Sequence, residues 1–117
     1  MLVGVRVGDT GGRAEALADK IANLRIFADD GGQMNRSVLD VAGAVLVVSQ
    51  FTLYGDTRRG RRPSFVDAAP PEKAEPIVGM VAARLGELGV TTATGEFGAH
   101  MEVDLTNDGP VTILIET

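Results

Sequence analysis

The chain has 117 residues, 44% of them hydrophobic and 23% charged, with a formal net charge of −5 and no cysteine. That length suits one domain over residues 1–117 with a modest core, and the lack of cysteine excludes disulfides, thiolate metal sites and a cysteine nucleophile. No apolar run is long enough to cross a bilayer and no basic segment with an apolar stretch opens the chain, so the expectation is a cytoplasmic protein with no membrane partner. The acidic total argues against wholesale wrapping of nucleic acid, which needs clustered Lys and Arg.

Residues 1–7 alternate weakly around Leu2, Val3, Val5 and Val7 and read as a strand, ended by Gly8-Asp9-Thr10-Gly11-Gly12. A helix follows over 13–24, with Ala14, Leu17, Ala18, Ile21 and Leu24 on one apolar stripe. Asp29-Asp30-Gly31-Gly32 suits the turn of a short hairpin flanked by Ile26-Phe27 and Met34. Residues 44–51 are nearly unbroken apolar and β-branched, which predicts a central strand buried on both faces. Pro71 and Glu72 open a second helix whose buried face is Ala74, Ile77, Val78, Val81, Leu85 and Leu88, with Gly89 as C-terminal cap. Pro76 fits only within the first turn, and Gly79 and Gly86 weaken the helix so that packing must hold it. The last third is expected to be strands over 91–97, 101–106 and 111–116, the final two joined by a turn at Asp108-Gly109. The fold class is therefore mixed α/β: largely antiparallel strands with two helices on a single core.

The side chains available for chemistry are few. His100 is the only histidine, so zinc held by two or three histidines is impossible and no metal is expected. In Gly98-Ala99-His100-Met101 it reads as a surface or strand-end residue rather than a base. No pair of carboxylates has a spacing that marks acid-base work, and no GxxxxGK[ST] loop is present. What remains is backbone and small hydroxyls. A strand ending in Ser49-Gln50-Phe51-Thr52 can turn successive amides toward a cavity, where they stabilise the oxyanion of an attacked ester. Composition alone favours the blander reading, in which Phe51 is core and Ser49 and Thr52 end the strand.

Four of the eleven basic residues, Arg58, Arg59, Arg61 and Arg62, fall within five positions. Arginine suits forked contacts to phosphate. Taken alone they read as a solvated loop, but beside a pocket on an acidic protein a local phosphate site is the better reading. Gly109-Pro110 is by default a trans turn, since about one X-Pro bond in twenty is cis in folded proteins. A cis unit would need a reason such as holding carbonyl oxygens against a side chain of one handedness.

Residues 45–62 and Asn107-Asp108-Gly109-Pro110-Val111-Thr112 together resemble the two active-site motifs of the D-aminoacyl-tRNA deacylases, proofreading enzymes that cut D-amino acids and glycine from the 3′ end of mischarged tRNA. Asn23-Leu24-Arg25-Ile26-Phe27, Gln33-Met34-Asn35 and Arg62-Pro63-Ser64-Phe65 extend the likeness over nearly the whole chain. The resemblance implies hydrolysis of D-aminoacyl-tRNA, and of glycyl-tRNA mischarged on tRNA-Ala, by a homodimer with active sites at its interface and no cofactor. Ser49, Gln50, Phe51 and Thr52 would line the pocket, with main-chain amides around Phe51 and Thr52 meeting the oxyanion. Gly109 and Pro110 would form a cis unit that enters the partner subunit's pocket and excludes L-aminoacyl groups. Phe97 and Met101 match positions that hold the terminal adenine. Thr52 has no base beside it, and the family reading gives the assisting role to the 2′-OH of the terminal ribose.

Two departures from the family pattern stand out. His100 replaces the usual aspartate. Residues 1–5 resemble an internal strand of the family, so its N-terminal hairpin, with a Gln-Arg-Val segment, is expected to be missing, exposing a sheet edge and part of the core. The competing expectation is a truncated, inactive module that binds the tRNA acceptor end, and a third is a small structural domain with neither property.

Overall fold

In the computed structural model, which describes residues 1–117, the core forms where an alanine ridge on one helix meets branched side chains on another. Helix α1 (Gly11–Asn23) buries Ala14, Ala18 and Ala22, spaced four apart along one ridge. Methyl groups there let helix α2 (Pro71–Glu87) approach closely, and its Val81 and Leu85 lie in the same buried cluster with 1% and 0% exposure. The expected stripe on α1 is thus rotated slightly: Ala22 takes a fully buried place, and Leu24 ends the helix as its C-cap. Arg84 Nε donates to Asp19 Oδ1 at 2.9 Å and ties the two helices at their rim.

The end of α2 follows from its sequence. Gly89 has φ +95°, the Val90 amide donates to the Leu85 carbonyl at 3.0 Å and the Gly89 amide to that of Gly86 at 3.0 Å. This pair of bonds closes the helix while Val90 and Leu85 share the core. Pro76 corrects the expectation: it lies inside the helix, past the first turn, so the helix runs on without the amide that would bond the Glu72 carbonyl. Gly79 is exposed and a Cβ there would meet nothing within 4 Å. Gly79→Ala should therefore stabilise the protein by about 0.5–1 kcal/mol through reduced backbone entropy. Urea denaturation checks this, and an unchanged midpoint would show that α2 frays at this turn.

Strands β1 (Leu2–Val3), β2 (Phe27–Ala28), β3 (Met34–Arg36), β4 (Ala44–Ser49) and β5 (Thr91–Thr94) complete the regular structure. The mixed α/β class with two helices is as expected, but the main sheet, ordered β1-β4-β5, is parallel throughout. The reason is connectivity: α1 lies between β1 and β4, and α2 between β4 and β5, and a helical crossover returns the chain in the same direction. Antiparallel pairing is confined to the β2-β3 hairpin and two isolated bridges. In the hairpin turn Asp29 Oδ1 accepts the amides of Gly31 and Gln33, each at 2.9 Å, and Asn35 donates to Oδ2 at 2.8 Å.

Strand β4 is central but not buried on both faces. Val45 and Val47 pack on the helical cluster, whereas Leu46 between them is 48% exposed, because both helices cover the same face. Only near Val48 is the other face closed. The strand expected over 1–7 pairs only at Leu2–Val3, with one further bridge from Arg6 to Ala68. The largest correction concerns the last third: β5 stops at Thr94, and residues 101–117 pair with no strand of this chain. Their apolar side chains Val103, Leu105, Ile113 and Leu114 stay 48–78% exposed. The segment is anchored at its end, where Arg13 Nη1 donates to the Thr117 carbonyl at 2.5 Å. No helix is long and apolar enough to cross a membrane.

Candidate active site

Parallel strands bring their carboxyl ends to one side of a sheet, where binding crevices form in open α/β folds. At that side β4 ends with Ser49, and the Gln50 amide makes a last bond to the Val3 carbonyl at 2.7 Å. The backbone then tightens into one 3-10 turn, Phe51–Tyr54, closed by Leu53 N–H to Gln50 O at 3.3 Å and Gly55 N–H to Thr52 O at 3.0 Å. The first amides of such a turn have no partner behind them. The amides of Phe51 and Thr52 accordingly make no hydrogen bond within the chain. Two adjacent free N–H donors at exposed residues can hold an anionic oxygen.

The side chains around these donors fit that role better than a nucleophile's. Phe51 is not core: it is 57% exposed and meets Phe65 edge-on, ring centroids 5.0 Å apart. Gln50 Nε2 donates to Thr52 Oγ1, so the Thr52 oxygen faces a donor rather than a base. No carboxylate or histidine is hydrogen-bonded to Ser49 or Thr52. Gly55 is required on spatial grounds, since a Cβ would lie 3.0 Å from both the Phe65 ring and the Thr52 carbonyl.

Met101 joins this end of the sheet, whereas Phe97 packs elsewhere. A Cβ on Gly95 would sit 2.9 Å from the Met101 sulfur and 3.7 Å from Val48. Gly95 itself donates to the Val47 carbonyl at 3.0 Å. Met101 therefore lies beside Val48, next in sequence to Ser49. Phe97 is half-buried against Val5, Ala69 and Ala74, and His100 is exposed between them in sequence.

The arginine loop is pinched shut by reciprocal backbone bonds between Asp56 and Ser64, at 2.7 and 2.9 Å. Its four arginines are not equivalent. Arg58 grips Asp56 with two forked bonds, Nε to Oδ1 at 2.9 Å and Nη2 to Oδ2 at 2.7 Å, and adds its own amide at 2.9 Å. These bonds, the side-chain ones foremost, lower the Asp56 pKa from 3.8 to about 2. A carboxylate with a depressed folded value contributes its stability above its unfolded pKa and loses it as pH falls through the folded one. The tie is thus complete above pH 4 and released only toward pH 2. Arg59, Arg61 and Arg62 belong to none of the chain's ion pairs.

A cleft of about 420 Å³ is lined by Asp56, Arg58, Arg59 and Ser64. Another, of about 330 Å³, is lined by Arg6, Val7, Gly8, Asp9, Arg13 and Asp67. Neither includes residues 49–52, and Phe51 and Thr52 are themselves exposed.

The second motif forms an exposed loop with its own brace. Asn107 Oδ1 accepts the Val111 amide at 3.0 Å and Asn107 Nδ2 donates to Thr112 Oγ1 at 3.0 Å. Gly109 has φ +132° and precedes a cis bond to Pro110. A Cβ at Gly109 would lie 2.9 Å from Val111 Cγ2, so both conformation and space require glycine. The carbonyls of Asp108, Gly109 and Pro110 accept no hydrogen bond in the chain, and none joins this loop to residues 49–52. From the sequence Asn107 reads only as the start of its motif, and Asp56 is given no role. The signal for the first was its spacing ahead of Gly109-Pro110, and for the second a carboxylate two positions before Arg58.

Comparison with known proteins adds a family to this geometry. The family model described as D-Tyr-tRNA(Tyr) deacylase matches residues 1–116. A D-aminoacyl-tRNA deacylase of Roseiflexus castenholzii is 63% identical over 117 residues, covering 100% of this chain and 74% of that protein. The D-aminoacyl-tRNA deacylase of Thermomicrobium roseum is 62% identical, covering 100% and 76%, and that of Halalkalibacterium halodurans 57% identical, covering 100% and 80%. Among solved structures, the protein called c-Myc DNA Unwinding Element Binding Protein superposes with a TM-score of 0.90 at 38% identity, covering 99% of this chain and 79% of its own.

Proposed function

We propose, from the premise that the chain belongs to the D-Tyr-tRNA(Tyr) deacylase family, that its main chain rather than its side chains performs the hydrolysis. The enzyme is a D-aminoacyl-tRNA deacylase, an ester hydrolase. In the proposed reaction water attacks the ester carbonyl and the carbonyl oxygen takes the negative charge. The free amides of Phe51 and Thr52 hold that charge. The bond to the ribose 3′-oxygen then breaks, and the adjacent 2′-OH relays the proton lost by the attacking water to that leaving oxygen, giving the free amino acid and the 3′-hydroxyl. The observation that carries this reading is the pair of amides left without partners at the turn after β4. Ser49, Gln50 and Thr52 line the ester, and Met101 receives the terminal adenine, whereas Phe97 packs instead against Val5, Ala69 and Ala74.

Handedness is assigned to the other motif. Its free carbonyls belong to the exposed residues Gly109 and Pro110, no hydrogen bond connects them to the amides of the same chain, and they exclude an L side chain from a neighbouring subunit's pocket. A homodimer supplies that neighbour. The exposed Phe51, Leu53, Leu105 and Leu114 offer apolar surface of the kind buried by association. Glycyl-tRNA, lacking a side chain, escapes the filter and is hydrolysed, and the substrates place the activity in the cytoplasm.

Incubation of the purified protein with D-tyrosyl-, glycyl- and L-tyrosyl-tRNA tests the reading. Release of D-tyrosine and glycine with retention of L-tyrosine is expected, and equal release of both tyrosines would overturn the chiral filter. Binding without turnover would instead favour a module that only holds the acceptor end, the second reading motivated by the unpaired residues 101–117.

Phosphate contacts are assigned to the arginine loop, with Arg58 contributing least because Asp56 already neutralises it. Arg59→Ala and Arg61→Ala should each flatten the log-log salt dependence of tRNA binding by about 0.7–0.9, whereas Arg58→Ala should leave the slope nearly unchanged. Equal slopes for all three variants would contradict this division.

A further inference from the structure

We infer that Asn107 is a positioning residue that sets the discrimination between D- and L-aminoacyl groups, by holding the Gly109-Pro110 loop from inside; this rests on the deacylase reading above. The loop is exposed from Asn107 to Pro110, and no hydrogen bond from outside residues 107–112 ties it down. Its brace is one side chain, which accepts from the Val111 amide and donates to the Thr112 hydroxyl, both at 3.0 Å. Those two bonds close the loop on either side of the free carbonyls, so the carbonyls keep a fixed direction without being used themselves. A filter that works by collision depends on such rigidity, because a yielding loop would admit the excluded side chain. Chemistry at the amides of Phe51 and Thr52, to which no hydrogen bond joins the loop, does not depend on it.

The groups have a defined replacement pattern. Aspartate at 107 keeps an acceptor for the Val111 amide, and its second oxygen accepts from the Thr112 hydroxyl, which rotates to become the donor. Alanine keeps neither bond. Thr112→Val removes one bond and leaves the other.

The experiment measures kcat/KM for D-tyrosyl- and L-tyrosyl-tRNA in the full chain, with Val111 amide exchange followed by NMR. For Asn107→Ala the D-to-L ratio is expected to fall about tenfold, the scale that losing two hydrogen bonds permits, with the change carried by faster L-tyrosine release and with Val111 exchanging faster. Asn107→Asp should restore the ratio, and Thr112→Val should fall between. An unchanged ratio in Asn107→Ala, or failure of Asn107→Asp to restore it in a folded protein, overturns the inference. If the unsubstituted chain releases neither amino acid, the deacylase reading fails. Val111 exchange then decides the brace: acceleration in Asn107→Ala sustains it, and unchanged exchange removes it.

Discussion

Phe51→Pro is expected to turn over D-tyrosyl-tRNA about 10²–10³-fold more slowly than Phe51→Ala, the usual effect of deleting one oxyanion donor. The comparison isolates a main-chain atom. Both variants lose the ring, which is largely exposed and meets Phe65 at its edge, but only proline also loses the amide. Proline is tolerated here for three reasons. Phe51 is the first residue of the 3-10 turn, where proline's fixed φ suits the backbone. Its amide bonds to nothing in the chain, so no internal bond is broken. Gln50 lies at φ −148° and ψ 84°, outside the helical region that a following proline disfavours. Single-turnover rates with melting curves for both variants give the answer. Equal rates in equally stable proteins would remove the Phe51 amide from the mechanism.

Leu85→Ala should cost about 2–5 kcal/mol of stability, a large part of the ~5–15 kcal/mol that holds a domain together. Leu85 is 0% exposed in the cluster containing Ala18, Ala22, Val47 and Val81. The alanines of α1 have no side chain to swing into a void, so the cavity would persist rather than close. The same residue gives its carbonyl to the Val90 amide at the end of α2, which fixes the backbone around the cavity. Urea denaturation measures the loss, and a change below about 1 kcal/mol would mean that α2 slides toward α1 and refills the space.

The helices were legible because three- and four-residue spacing states which side must be buried, and Val81, Leu85 and Gly89 fell where that spacing requires. β4 was legible from its apolar run and the hairpin from its Asp-Gly turn. Strand direction was not, since Val and Ile serve parallel and antiparallel ladders alike and the crossover helices decide. Leu46 read as buried for a related reason: sequence marks an apolar side chain but not whether a second layer exists to cover it. The alternation over 101–106 and 111–116 met the same limit, because a strand needs a neighbour and this chain supplies none.

The site was legible as a motif and opaque as geometry. Ser49-Gln50-Phe51-Thr52 and Asn107 to Thr112 were visible, but free amides are a property of how the chain turns at Phe51 and have no letter of their own. Arg58 looked equivalent to its neighbours until its fork was found closed on Asp56.

The central claim is that hydrolysis proceeds without a side-chain nucleophile, and the single-turnover rate of Thr52→Ala on D-tyrosyl-tRNA tests it most directly. Thr52 carries the one aliphatic hydroxyl of the Phe51–Tyr54 turn, paired with the Gln50 amide group rather than with a base. Losing a hydrogen bond there predicts a rate within about tenfold of the unsubstituted enzyme. A fall of about 10⁴-fold or more in a folded protein, the scale seen when a nucleophile is removed, would contradict the account and make Thr52 the group that attacks the ester.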